Sequence, residues 1–135
     1  MAKILVIDDD ALVRNTILRI LRASGFEVIL AEDGIKGMAA FRKEMPDLII
    51  TDIIMPRLNG VEVIASIRRE FPNVRIIAIS GGGNYGPTDF QPNAITTSAY
   101  LAAADKAGAD LILTKPFESA DLFAAIARAL ATGRA

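Results

Sequence analysis

Short apolar runs recur along the chain, each stopping at polar residues and each followed by a longer stretch of mixed character. Ile4–Ile7 is rich in β-branched residues and stops at Asp8-Asp9-Asp10. In Ala11–Ser24, Val13, Ile17, Ile20 and Leu21 fall on one helical face, with Arg14, Arg19 and Arg22 between them. Asp10 is the expected N-cap of that helix, Gly25 lies just past its end, and the arginines read as its solvated face. Val28–Ala31 is a second strand; Gly34–Glu44 is a second helix, ended by Pro46. Leu48–Thr51 is a third strand that delivers Asp52 to its end. Asn59-Gly60-Val61-Glu62 resembles a capping box opening a helix over 61–71, with Ile64, Ile67 and Phe71 inward and Pro72 closing it. Ile76–Ile79 is a fourth strand, ending at Ser80.

Gly81–Asn93, GGGNYGPTDFQPN, breaks the rhythm and reads as a long loop. A helix from about Ile95 to Ala107 follows, then Gly108, a fifth strand Leu111–Leu113, and Thr114-Lys115-Pro116. The last helix, about Ser119–Ala131, spaces Leu122, Ile126 and Leu130 four apart, and Thr132–Ala135 is a short tail. Five strands thus alternate with five helices. Continuous apolar strands are those of a sheet covered on both faces, and right-handed crossovers make that sheet parallel. The expected fold is α/β: a doubly wound five-stranded parallel sheet of flavodoxin-like order 2-1-3-4-5, in one domain over residues 1–135.

Ligands of such sheets bind at the carboxyl ends of the strands, where strand order reverses. Those ends carry Asp8 and Asp9 after strand 1, Asp52 after strand 3, Ser80 after strand 4 and Lys115 just after strand 5. In the order 2-1-3-4-5 these four strands are neighbours, while strand 2, ending in Ala31, lies at the far edge. One site therefore collects three carboxylates, a hydroxyl and an amine.

Carboxylates so gathered repel one another by roughly 4 kcal/mol per pair at about 4 Å and an effective dielectric near 20. The chain has no histidine and no cysteine, so disulfides, thiolate metal sites and most zinc chemistry are excluded. Hard oxygen donors favour Mg²⁺, which keeps waters that a phosphate can replace. A carboxylate also attacks phosphorus to give an aspartyl phosphate, and the Lys115 ammonium and Ser80 hydroxyl suit the oxygens of the transferring group. The net charge of −1 offers no basic footprint for nucleic acid or membrane. The apolar part of MAKILVIDDD is too short for a signal peptide and no run approaches membrane-spanning length, which predicts a cytoplasmic protein.

VIDDD (Val6–Asp10), TDIIMPRLNG (Thr51–Gly60), AISG (Ala78–Gly81) and LTKPF (Leu113–Phe117), in this order on this strand rhythm, resemble a response-regulator receiver domain of two-component signalling. The resemblance covers nearly the whole chain. It implies that Asp52 accepts a phosphoryl group from a kinase phosphohistidine, and that Asp8, Asp9, Asp52 and the Ile54 carbonyl hold Mg²⁺. It further implies that the Ser80 hydroxyl follows the phosphoryl group, that Lys115 pairs with it, and that the Lys115-Pro116 bond is cis. The implied partners are a sensor histidine kinase or phosphotransfer protein and a downstream protein, with room for a phosphorylation-dependent homodimer. Phosphoryl acceptance and loss would be self-catalysed, so no enzyme acting on other substrates is expected.

Two departures from the family pattern stand out. Ile112 occupies the position three before Lys115 where many receivers carry Tyr or Phe, and Ser80 and Lys115 are 35 positions apart, longer than the family habit. The surplus falls in or beside Gly81–Asn93, which makes that loop the expected moving part. If the chain is full length, the expectation is a stand-alone receiver that docks to a partner or passes the phosphoryl group on; if it is a piece of a longer protein, the output is not legible here. The rival readings are a pseudo-receiver that binds proteins without phosphorylation and a phosphatase of the haloacid dehalogenase type. The latter needs a second Asp where this chain has Ile54.

Overall fold

The computed structural model of the chain describes residues 2–53, 60–80, 105–115 and 117–131, with the side chain of Ser80 outside that set. Its elements are β1 (Lys3–Ile7), α1 (Ala11–Ala23), β2 (Glu27–Ala31), α2 (Gly34–Glu44), β3 (Leu48–Asp52), α3 (Gly60–Glu70) and β4 (Arg75–Ser80). Residues 105–107 are helical and are labelled α4, followed by β5 (Leu111–Thr114) and α5 (Ser119–Ala131). The strands form one sheet in the order β2-β1-β3-β4-β5, every neighbouring pair parallel. This is the doubly wound, flavodoxin-like architecture that the strand rhythm predicts.

Local signals explain the element ends. The Asp10 carboxylate accepts the Leu12 N–H at 2.9 Å and caps α1. Past Ser24, Gly25 takes φ 89°, the left-handed turn that releases the chain toward β2. Pro46 disfavours helical geometry for the residue before it, and Met45 leaves α2 in the left-handed region at φ 49°. The helix expected over 61–71 starts at Gly60 and stops at Glu70. Phe71 lies just beyond it, half-buried, with its ring centroid 4.6 Å from that of Phe41.

Alternate strand residues feed two cores. On one face Leu5, Ile7, Ile49 and Ile76 pack with Met38 and Phe41 of α2 and Val63, Ile64 and Ile67 of α3. On the other, Ile4, Val6, Leu48, Ile50, Ile77 and Ile79 pack with Ile17 and Leu21 of α1 and Leu122 and Ile126 of α5. Both faces of β1 and β3 are sealed, so the one place where polar side chains reach these strands without crossing a core is a strand end. Asn59, Ile54, Pro116, the Gly81–Asn93 loop, most of the helix expected from Ile95 and the Thr132–Ala135 tail lie outside the described residues.

Candidate functional site

β1 and β3 are neighbours whose registers pair Ile7 with Thr51. Asp8, one residue past β1, and Asp52, the last residue of β3, therefore emerge side by side. The Asp8 N–H donates to the Ala31 carbonyl at 3.1 Å, and the Ile53 N–H donates to the Ile79 carbonyl at 3.0 Å. Sheet pairing thus holds the backbone on both sides of the two carboxylates. At Gly60 the start of α3 is seated directly on this strand end: its N–H donates to the Ile53 carbonyl at 2.7 Å. A Cβ there would lie 2.6 Å from the Ile53 Cα and 2.9 Å from the Asp52 carbonyl carbon, so only glycine permits the approach.

Carboxylate oxygens of Asp8, Asp9 and Asp52 lie within 4.8 Å of one another. Asp8 is fully buried and Asp52 is 6% exposed. Lys115, just past β5, reaches in from two strands away: its Nζ is 3.6 Å from Asp8 Oδ2 and 3.7 Å from Asp52 Oδ2. These are ion pairs at distances too long for hydrogen bonds. Among the described residues, Asp8 Oδ2 and Asp9 Oδ1 are buried and accept no hydrogen bond. Buried polar atoms are ordinarily satisfied, and anionic oxygens more stringently than neutral ones. Two orphaned carboxylate oxygens converging with a third acid, without nitrogen or sulfur donors, fit a hard divalent cation such as Mg²⁺.

Burial is the largest influence on Asp8 and pushes its carboxyl above the ordinary value of 3.8. The hydrogen bond from the Asp10 N–H and the Lys115 charge pull it back down, while the Asp9 and Asp10 charges add to the rise. Like-charge repulsion, the term most visible in the sequence, is thus secondary to desolvation.

Asp8, Asp9, Asp52 and Lys115 come together as the strand order predicts. Ser80 ends β4, where its backbone pairs with Thr114, and its side chain is outside the described set. The Ile54 carbonyl, the Lys115-Pro116 bond and the loop after Ser80 also fall outside it. Ile112 is half-buried and packs against the α2–α3 core.

One residue departs from its sequence reading. Arg14, assigned to a solvated face with Arg19 and Arg22, is half-buried, and its Nη1 donates to the Asp8 carbonyl at 2.8 Å. Helix side chains lean toward the N-terminus, so a long side chain one turn past the N-cap reaches back over the preceding turn. That spacing was the available signal.

The family model for the response regulator receiver domain matches residues 4–127. The chain belongs to that family. It is a receiver domain of two-component systems, and the acidic pocket of Asp8, Asp9 and Asp52 fits phosphorylation and Mg²⁺ binding. The receiver is similar to response regulator MprA of Mycobacterium sp. (strain KMS), at 34% identity over 122 residues, covering 90% of this chain and 47% of that protein. It thus spans about half the length of the curated relatives it matches. Among solved structures it resembles a response regulator receiver domain protein from Clostridium thermocellum, with TM-score 0.79 and 32% identity over 96% of this chain and 94% of that one. It also resembles the receiver domain of NtrX from Brucella abortus, with TM-score 0.81 and 30% identity over 96% of this chain and 99% of that one. Among the described residues no helix is long and apolar enough to cross a membrane.

Proposed function

We propose that Asp52 is the phosphoacceptor of this receiver and takes its phosphoryl group from a histidine-kinase or phosphotransfer-protein phosphohistidine. The observation that carries this reading is the Asp52 side chain itself: 9% exposed, clustered with Asp8 and Asp9, and 3.7 Å from the Lys115 ammonium. In the transfer, an Asp52 oxygen forms a bond to phosphorus as the P–N bond of the phosphohistidine breaks, and the bonding pair leaves with the imidazole. Lys115 offers positive charge to the phosphoryl oxygens, and Asp8, Asp9, Asp52 and the Ile54 carbonyl would hold Mg²⁺. When bound, Mg²⁺ screens the carboxylates and supplies charge that stabilises the phosphoryl oxygens in flight.

The Ser80 hydroxyl follows the phosphoryl group, and the change spreads into residues 81–93 to control docking of a downstream protein or onward phosphoryl transfer. Ile112 supports this route, because it offers no aromatic ring to swing beneath the fourth helix. The chain's catalysis is confined to its own phosphorylation and dephosphorylation, in the cytoplasm, without direct contact to nucleic acid or membrane. Incubation with acetyl phosphate and Mg²⁺ should raise the intact mass by one phosphoryl group, and Asp52→Asn should abolish the gain. Undiminished labelling of the Asn variant refutes the assignment, and an unlabelled wild type favours a phosphorylation-independent binding module.

A further inference from the structure

We infer that Arg14 is a positioning residue for the cation site, holding the Asp8–Asp10 turn so that Asp9 is aimed at the cluster. The inference rests on the proposed Mg²⁺ reading and adds to it a residue that touches neither the cation nor the phosphoryl group.

The turn is tied at five points. The Asp8 N–H donates to the Ala31 carbonyl, and the Asp10 N–H donates to Asp8 Oδ1 at 2.9 Å. Asp10 Oδ1 accepts the Leu12 N–H, and the Asp10 carbonyl accepts the Arg14 N–H at 2.9 Å. The fifth tie, from Arg14 Nη1 to the Asp8 carbonyl, closes the ring. Arg14 alone grips the turn at both ends, with its backbone on Asp10 and its guanidinium on Asp8. Asp9 sits at the middle of this ring, and its Oδ1 is buried without a hydrogen bond. Nothing described holds that oxygen in place directly; the backbone on either side must do so.

Removing the guanidinium frees the Asp8 carbonyl and leaves the turn's first residue held by its backbone bond to Ala31 and its ion pair with Lys115. An Asp9 carboxylate released in this way turns toward water, where it is better solvated than beside Asp8 and Asp52. Groups that orient the ligands of a metal, without touching it, commonly contribute about 10–100-fold in affinity.

Arg14 is also a positive charge near an acidic site, and the two roles predict opposite signs. A bystander charge repels the cation, so its removal strengthens binding. A positioning group organises the ligands, so its removal weakens binding. Mg²⁺ affinity, measured by calorimetry on wild type, Arg14→Met, Arg14→Gln and the exposed-helix control Arg19→Met, separates them without any phosphorylation assay. Arg14→Met should bind Mg²⁺ about tenfold more weakly. Arg14→Gln should also bind more weakly than wild type, and Arg19→Met should match it. Gln keeps a donor without the charge, so it decides the sign if the Met variant does not fold. Unchanged or tighter binding in folded Arg14→Met or Arg14→Gln overturns the proposal while leaving the Mg²⁺ reading intact. Absence of Mg²⁺ binding by the wild type overturns the Mg²⁺ reading and this inference together.

Discussion

Two charged clusters sit at opposite ends of the same sheet, and their hydrogen bonding sets them apart. At the amino ends of β4 and β5, Arg68 of α3 donates to the Gly108 carbonyl from Nε and Nη2, to the Pro72 and Val74 carbonyls from Nη1, and to Asp110 Oδ2 from Nη2 at 3.0 Å. All the N–H groups of a guanidinium are then engaged. Asp110 Oδ2 also accepts the Ile76 N–H at 2.8 Å. Gly108, at φ 122°, leaves room for the arginine; a Cβ there would lie 2.9 Å from Arg68 Cγ. At the carboxyl ends, Lys115 stands 3.6 and 3.7 Å from its acids and two buried carboxylate oxygens accept nothing among the described residues. A satisfied cluster is a fastening. An under-satisfied one, equally buried, is a site waiting for charge.

The largest expected effect is at the fastening. Arg68→Ala strips five hydrogen bonds and removes the guanidinium paired with Asp110, whose side chain is 4% exposed. Urea unfolding should show a loss of about 3–5 kcal/mol, the same in EDTA and in Mg²⁺. A loss that depends on Mg²⁺ would merge the two clusters and break the comparison.

A smaller effect sharpens the other end. The folded-state pKa of Asp8 lies above its ordinary 3.8, so the folded protein binds that proton more readily than the unfolded chain. The charged carboxylate therefore costs stability above the raised pKa, and the cost is relieved as pH falls through it toward 3.8. The stability gap between Asp8→Asn and wild type in EDTA should shrink on acidification through that window. A gap that is constant with pH would remove burial as the cause. The smallest effect belongs to the surface: Arg42 and Glu70 pair at 2.9 Å but are about half exposed. Arg42→Ala should cost no more than about 0.5 kcal/mol in the same titration, and less at high salt.

The contrast also explains what the sequence makes legible. Asp8 and Asp52 interrupt apolar strands, and an acid that ends a buried run is conspicuous; the parallel topology then brings such ends together. Arg68 stands among helix residues next to another arginine and looks solvated. Four of its five bonds go to backbone carbonyls, which leave no mark in side-chain chemistry. Arg14 was hidden for the same reason, since its acceptor is the Asp8 carbonyl and the Asp8 side chain is not involved. Dominance of burial over repulsion at Asp8 was equally out of reach, because the degree of desolvation at a strand end depends on the packing above it.

The most direct test of the distinction is Asp8→Asn under urea unfolding, with and without Mg²⁺. In EDTA the variant should be more stable than wild type, because burial holds the Asp8 carboxyl above its ordinary value and its charge costs stability at neutral pH. With Mg²⁺ at a hundredfold over the wild-type Kd, the wild type should gain about 2.7 kcal/mol by linkage and the variant little. An Asp8→Asn protein less stable than wild type in EDTA, and still gaining the full increment from Mg²⁺, would show that Asp8 fastens the fold and that the cation binds elsewhere.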